Sequence, residues 1–116
     1  MIKGVSNADV RSLVQKCRDF VTNNHTIFGR NYASDTDKWY AVYSYGEHFP
    51  MYVCDRNTGE WYANREKVSR TTSNHQGKAH PYTEVLHLSC SQMEVLAKLG
   101  PNKFAMREIE HAALGN

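Results

Sequence analysis

Residues 38–64, KWYAVYSYGEHFPMYVCDRNTGEWYAN, hold both tryptophans and five of the seven tyrosines of the chain. Aromatic and β-branched residues at this density suit a pleated, half-buried surface, and their two-residue alternation is that of strands. Gly46-Glu47 and Asp55-Arg56-Asn57-Thr58-Gly59 interrupt the run as turns, with Gly59 suited to a left-handed position. The pattern therefore predicts an antiparallel β-meander with strands over 38–45, 49–54 and 60–64, and a weaker fourth over 27–33. Alternation puts Trp39, Ala41, Tyr43 and Tyr45 on one face, with Tyr40, Val42 and Ser44 on the other. Pro50 has no amide hydrogen, so its strand is expected to be peripheral there or distorted.

Two faces this aromatic both need cover. Val10, Leu13, Val14, Cys17, Phe20 and Val21 follow a helical stripe and predict an amphipathic helix over 8–23, capped by Asn7 or Ser6. Its opposite face, with Arg11, Gln15, Lys16 and Arg18, reads as solvated surface. Residues 82–88 predict a last strand. Ser91 followed by Glu94 has the spacing of a capping box and opens a helix through Leu99, which Gly100-Pro101 closes. Asn102 is expected to cap a final helix using Phe104, Ala105, Ile109, Ala112 and Ala113. Residues 65–81 show no period and read as a loop. The expectation is one α+β domain over 1–116: an N-terminal helix, an antiparallel meander of three to four strands, and two C-terminal helices.

At 116 residues and a net charge of +2, bulk charge does not mark a nucleic-acid binder, so an electrostatic role must come from local clustering. Cys17, Cys54 and Cys90 are odd in number and form no CxxC pair. They read as small hydrophobes in a reducing compartment. No signal peptide or membrane-spanning run is apparent, which points to a cytoplasmic protein without a membrane partner. His75, His80, His87 and Cys90 match no zinc spacing, and neither metal nor cofactor is expected. The C-terminal helix pair has a helix-turn-helix corner, but Lys103 and Arg107 face Glu108 and Glu110, so packing on the sheet is the better reading.

Local clustering does occur after the meander. Arg65, Lys67, Arg70 and Lys78 stand against one acid, Glu66, with Ser69, Thr71, Thr72, Ser73, Asn74, His75 and Gln76 among them. Cations attract phosphate, and hydroxyls and amides supply directional hydrogen bonds, which is the chemistry of a phosphate or nucleic-acid backbone site. No GxxxxGK[ST] pattern exists to cradle a nucleotide. Tyr45, His48 and Trp61 are expected to assist from the hairpins by stacking on bases or anchoring a protein partner. The bland alternative is a solvated loop whose hydroxyls cap local turns. The rival functional reading is a binder or enzyme for a small phosphorylated ligand using Arg70, Thr72, Ser73, His75 and Lys78. A third is a structural role through self-association of the aromatic sheet, the oligomeric state being open.

Tyr43-Ser44-Tyr45-Gly46-Glu47-His48-Phe49-Pro50-Met51-Tyr52-Val53, then Trp61-Tyr62, then Ser69-Arg70-Thr71-Thr72-Ser73 with His75 and Gln76, resembles a small domain found in tailed-bacteriophage proteins. The resemblance covers about residues 39–81 and, more loosely, the region to Leu99. It implies a phage origin and no particular activity. Small phage proteins of this kind act on host machinery by binding it, and some inhibit defence systems such as CRISPR effectors. With that origin, the leading expectation is a non-enzymatic accessory protein in the host cytoplasm, whose partner is nucleic acid, a host protein or a nucleoprotein defence complex.

Overall fold

The structure, a computed structural model, describes the chain through Leu114, with side chains described through Glu108. Seven strands form one mixed sheet and lie across it in sequence order: β1 (Ile2–Val5), β2 (Phe20–Thr22), β3 (Ile27–Ala33), β4 (Lys38–Ser44), β5 (Pro50–Asp55), β6 (Trp61–Asn64) and β7 (Val85–Leu88). Strands β2 to β6 are the antiparallel meander, while β1 and β7 join its two edges in parallel. A parallel neighbour needs a crossover. One is α1 (Val10–Gln15), between β1 and β2; the other is α2 (Arg70–Ala79), between β6 and β7.

The meander makes β2 and β6 run the same way, and both crossovers step in the same direction across the sheet. The right-handed crossover rule then places both helices on one face. Val10 and Val14 of α1 and Ala79 of α2 accordingly share a core with Phe20, Tyr40, Val42 and Tyr52. The other face belongs to α3 (Cys90–Leu99) and α4 (Pro101–Leu114), where Met93, Leu96 and Phe104 pack on Trp39, Ala41, Tyr43 and Val53. The alternation read from the sequence sorts these side chains correctly, except for Tyr45. That residue has φ 64°, leaves the strand and is exposed.

The architecture corrects the expected three to four strands and single N-terminal helix. The helix over 8–23 stops early, because Cys17 adopts φ 51° and closes a Schellman motif. The Cys17 amide donates to Val14 O at 2.9 Å and the Arg18 amide to Leu13 O at 3.0 Å. Phe20 and Val21, counted as helical positions, instead pair with Gly29 and Phe28 in the sheet. The loop over 65–81 is also corrected, since its second half is the ten-residue helix α2. Ser69 caps it, accepting from the Thr72 amide at 3.1 Å. Its buried side is Thr72, His75, Gln76 and Ala79, a helical period written mostly in polar residues.

At the C-terminus, the capping box is Ser89 with Gln92 rather than Ser91 with Glu94. α4 starts at Pro101, so Asn102 is not its cap; the Asn102 amide donates to Asp37 Oδ2 at 2.9 Å. Phe104 is buried as expected and Ala105 is exposed, whereas Ile109, Ala112 and Ala113 lie outside the residues with described side chains. Pro50 opens β5 inside the sheet, not at its periphery, next to a register shift between Val42 and Tyr43. That shift is the expected distortion.

Candidate site on helix α2 and the preceding strap

Residues 65–69 form an extended strap leading into α2, and the two together hold nine of the expected binding residues. Three of the nine turn inward. Thr72 Oγ1 accepts from the Ser69 hydroxyl at 3.0 Å. His75 Nδ1 shares a 2.8 Å hydrogen bond with the buried Ser44 hydroxyl, and the Tyr45 ring lies over it at 5.3 Å. Gln76 Nε2 donates to Asn64 O at 3.0 Å and Glu66 O at 3.2 Å. The Tyr52 hydroxyl donates to Gln76 O at 2.6 Å, and Asn64 Nδ2 to Pro50 O at 3.1 Å. Among the described residues no buried side-chain nitrogen or oxygen lacks a partner. These residues fasten α2 and the strap to β4, β5 and β6. Much of the Tyr-Ser-Tyr-Gly-x-His-Phe-Pro and Ser-x-Thr-Thr-Ser-x-His-Gln strings therefore does structural work.

His75 titrates below the usual imidazole range, because burial opposes its charge and Lys78 adds repulsion. His80 is lowered too, by burial first and then by Arg11. As pH falls through 6.5, the unfolded chain takes up protons that the folded chain does not, so stability decreases toward acid. Thermal unfolding between pH 7.5 and 5.5 should show this loss. His75→Asn, which keeps a hydrogen-bonding group near Ser44, should flatten the profile. Parallel profiles for the two proteins would contradict the assignment.

The other residues face out. Arg65, Lys67, Arg70, Thr71 and Lys78 are exposed and Ser73 is half-buried. Arg70, Asn74 and Lys78 recur every fourth position, which aligns them over roughly 12 Å of one helix face. α2 has no acidic residue. The strap's one carboxylate, Glu66, accepts from the Cys90 amide at 2.6 Å and so serves the start of α3. Lys67 Nζ reaches Gln76 Oε1 at 3.3 Å.

Beside this face, Asn7 and Arg11 border a cleft of about 590 Å³ with Ser73, Asn74, Gly77 and Lys78. Arg11 is held there by bonds to Gly77 O at 2.6 Å and His80 O at 3.0 Å, with its guanidinium 3.8 Å from the Tyr82 ring centroid. Sequence reasoning assigned Arg11 to solvated surface and Asn7 to a helix cap, and it placed Asn74 among the polar groups of the loop without naming it as a binding residue. The crossover topology that brings α1 beside α2 leaves no local signal.

The three assisting aromatics do not stay together. Tyr45 lies beside α2, against His75. Trp61 is 9% exposed and meets Tyr40 edge-on at 6.3 Å, so it is core rather than a stacking platform. His48 is exposed on the opposite side, where it borders a cleft of about 290 Å³ with Tyr32, Tyr43, Glu47, Glu94 and Lys98. His80 Nδ1 accepts from the Tyr82 amide at 3.0 Å. Among the described residues no group of His, Cys, Asp or Glu is placed to hold a metal ion. α3 packs on β4, β5 and β6, with α4 against it, as the charge pattern of that pair suggested. No described helix is long and apolar enough to cross a membrane. Comparison with protein families, curated sequences and solved structures finds no match to this chain.

Proposed function

We infer that this chain binds nucleic acid by its sugar–phosphate backbone, through the strap and the outer face of α2. The supporting observation is the sorting of side chains on that element. Polar groups that turn inward are consumed by the fold, and what remains outside is Arg65, Lys67, Arg70 and Lys78 with Thr71, Ser73 and Asn74. The strap's one carboxylate, Glu66, is directed to Cys90. Such a face supplies phosphate attraction and hydrogen bonds without a groove-reading element, so sequence-independent binding follows. The resemblance to a tailed-phage domain favours a host setting, either host nucleic acid or the nucleic-acid component of a defence complex.

Four phosphate contacts predict that log K falls against log salt with a slope of about −3.6 on duplex and about −2.8 on single strands. Duplex affinity should then drop roughly 150-fold between 50 and 200 mM salt. Fluorescence anisotropy with short single- and double-stranded probes measures this, and joint replacement of the four cations by alanine should abolish it. Absent or salt-insensitive binding by the wild-type protein would eliminate nucleic acid and leave a protein surface as the partner.

The cleft between α1 and α2 supports a second reading, in which a small phosphorylated ligand contacts Ser73 and Lys78. It draws less support, since Thr72 and His75 face the core and the five groups named for that role do not converge.

A further inference from the structure

The sheet ends in two edges, and the sequence treats them differently. At β1 the edge is blunted: Gly4 adopts φ 69°, the register shifts between Ile2 and Val5, and Lys3 is exposed. Bulges and lysines of this kind keep an edge from pairing with another chain. At β7 the edge is Val85-Leu86-His87-Leu88, which holds no acid, lysine, glycine or proline, and its register with β6 is unbroken over all four residues. Among the described residues no strand lies outside it. Helices cover both faces of the sheet, so what this end presents is backbone.

The direction of those backbone groups follows from one bond. The Arg65 amide donates to Leu88 O at 2.9 Å, so Leu88 turns its backbone toward β6. The N–H and C=O of a strand residue point to one side, and that side alternates along the strand. Leu86 therefore faces β6 as well, while Val85 and His87 together offer two donors and two acceptors outward. The Leu86 side chain between them keeps 51% of its surface exposed. The two ends of this edge differ in charge. Glu60 and Glu84 are exposed where β6 and β7 begin, and Arg65 and Lys67 are exposed where β6 ends.

We propose that β7 pairs antiparallel with β7 of a second copy of this chain, across a two-fold axis at Leu86, and so joins two seven-stranded sheets into one. In that register Val85 of each copy exchanges both backbone bonds with His87 of the other, which pairs every outward group. Leu86 stands opposite itself in the non-hydrogen-bonded position, where side chains lie closest, and its exposed flank is covered. Charge selects the antiparallel sense. It sets the acidic end of each edge beside the basic end of the other, whereas a parallel partner would set like ends together. A two-fold axis thus makes this edge complementary to itself. The pairing stands apart from the nucleic-acid reading, since it needs neither α2 nor a ligand.

The test is sedimentation of the full chain, free of nucleic acid, over about 5–500 µM, the range suited to a contact smaller than a standard interface. The wild-type protein should pass from monomer to dimer across it. Leu86→Lys sets like charges opposite each other at the axis and should weaken dimerisation at least about tenfold. Its melting profile should be kept, because the site is exposed. Leu86→Cys places two thiols on strands whose Cα atoms lie about 4.5 Å apart, within disulfide reach. Mild oxidation should therefore link two copies through that position by peptide mapping, while Lys3→Cys on the blunted edge should yield no such link. A monomer at every concentration, a dimer that Leu86→Lys leaves unchanged, or equal cross-linking of the two thiol variants would each overturn the proposal.

Discussion

Replacing Gly100 with alanine is expected to destabilise the fold by roughly 2–6 kcal/mol, combining backbone strain of about 1–3 with overpacking of about 1–3. Gly100 joins α3 to α4 at φ 89° and ψ 163°, a conformation that residues with a Cβ adopt at high cost. The added Cβ would also lie 2.8 Å from Trp39 Cζ3 and 3.1 Å from Asp37 Oδ2. Neither neighbour yields readily. The Trp39 indole donates to Ala97 O at 2.9 Å and its ring stacks on Tyr32 at 5.6 Å. Asp37 accepts from the Asn102 amide at 2.9 Å and from Asn57 Nδ2 at 3.1 Å. With total stability on the order of 5–15 kcal/mol, this loss should lower Tm by on the order of 10 °C or more. Gly77→Ala is the matched control, because its Cβ would meet nothing within 4 Å and helix α2 should gain up to about 1 kcal/mol. Denaturant melts of the two variants should move in opposite directions; similar shifts would show that the α3–α4 corner is not the constraint described.

The parts of this fold that were legible in the sequence are those where apolar residues carry the period. Trp39, Ala41 and Tyr43 against Tyr40 and Val42 announce β4 and both its faces, and Asp55 to Gly59 announces the hairpin that follows β5. The hidden parts fail for three separate reasons. α2 buries Thr72, His75 and Gln76, so its helical period is invisible to a count of apolar residues. β1 went unread, and β7, expected as a strand over 82–88, gave no sign of its parallel pairing; at these sheet edges no hairpin turn marks the partner. The stripe from Val10 to Val21 satisfies a helix and a helix-then-strand equally, and the left-handed Cys17 decides between them. The same reasons govern the candidate site. The cations of the strap and α2 were visible as composition, but separating Arg70 and Lys78 from His75 and Gln76 required knowing that the segment coils. Arg11 beside α2 is a product of crossover topology.

Gln76→Leu is expected to cost about 1–4 kcal/mol, since the buried Asn64 O left without a donor costs about 1–3 and the part-buried Glu66 O less. The two side chains are close in volume, so the loss is attributable to polar bonds rather than to a cavity. Asn64 O and Glu66 O both lose the donor that Gln76 Nε2 supplies, and Lys67 Nζ loses Oε1. The Arg65 amide bond to Leu88 O at 2.9 Å and the Glu66 amide bond to Asn64 Oδ1 at 2.9 Å are untouched, so the sheet junction should persist. The middle of the strap should therefore loosen before the helix does, and hydrogen exchange over residues 65–69 should accelerate more than over β4. If the strap presents phosphate-binding cations, nucleic-acid affinity should weaken while the salt slope is nearly kept, because no cation is removed. Lys67→Ala makes the complementary change and should reduce the slope by about 0.9 on duplex. Stability within about 0.5 kcal/mol of wild type, where substitutions away from special features fall, with unchanged exchange over the strap would show that Gln76 is not its fastening.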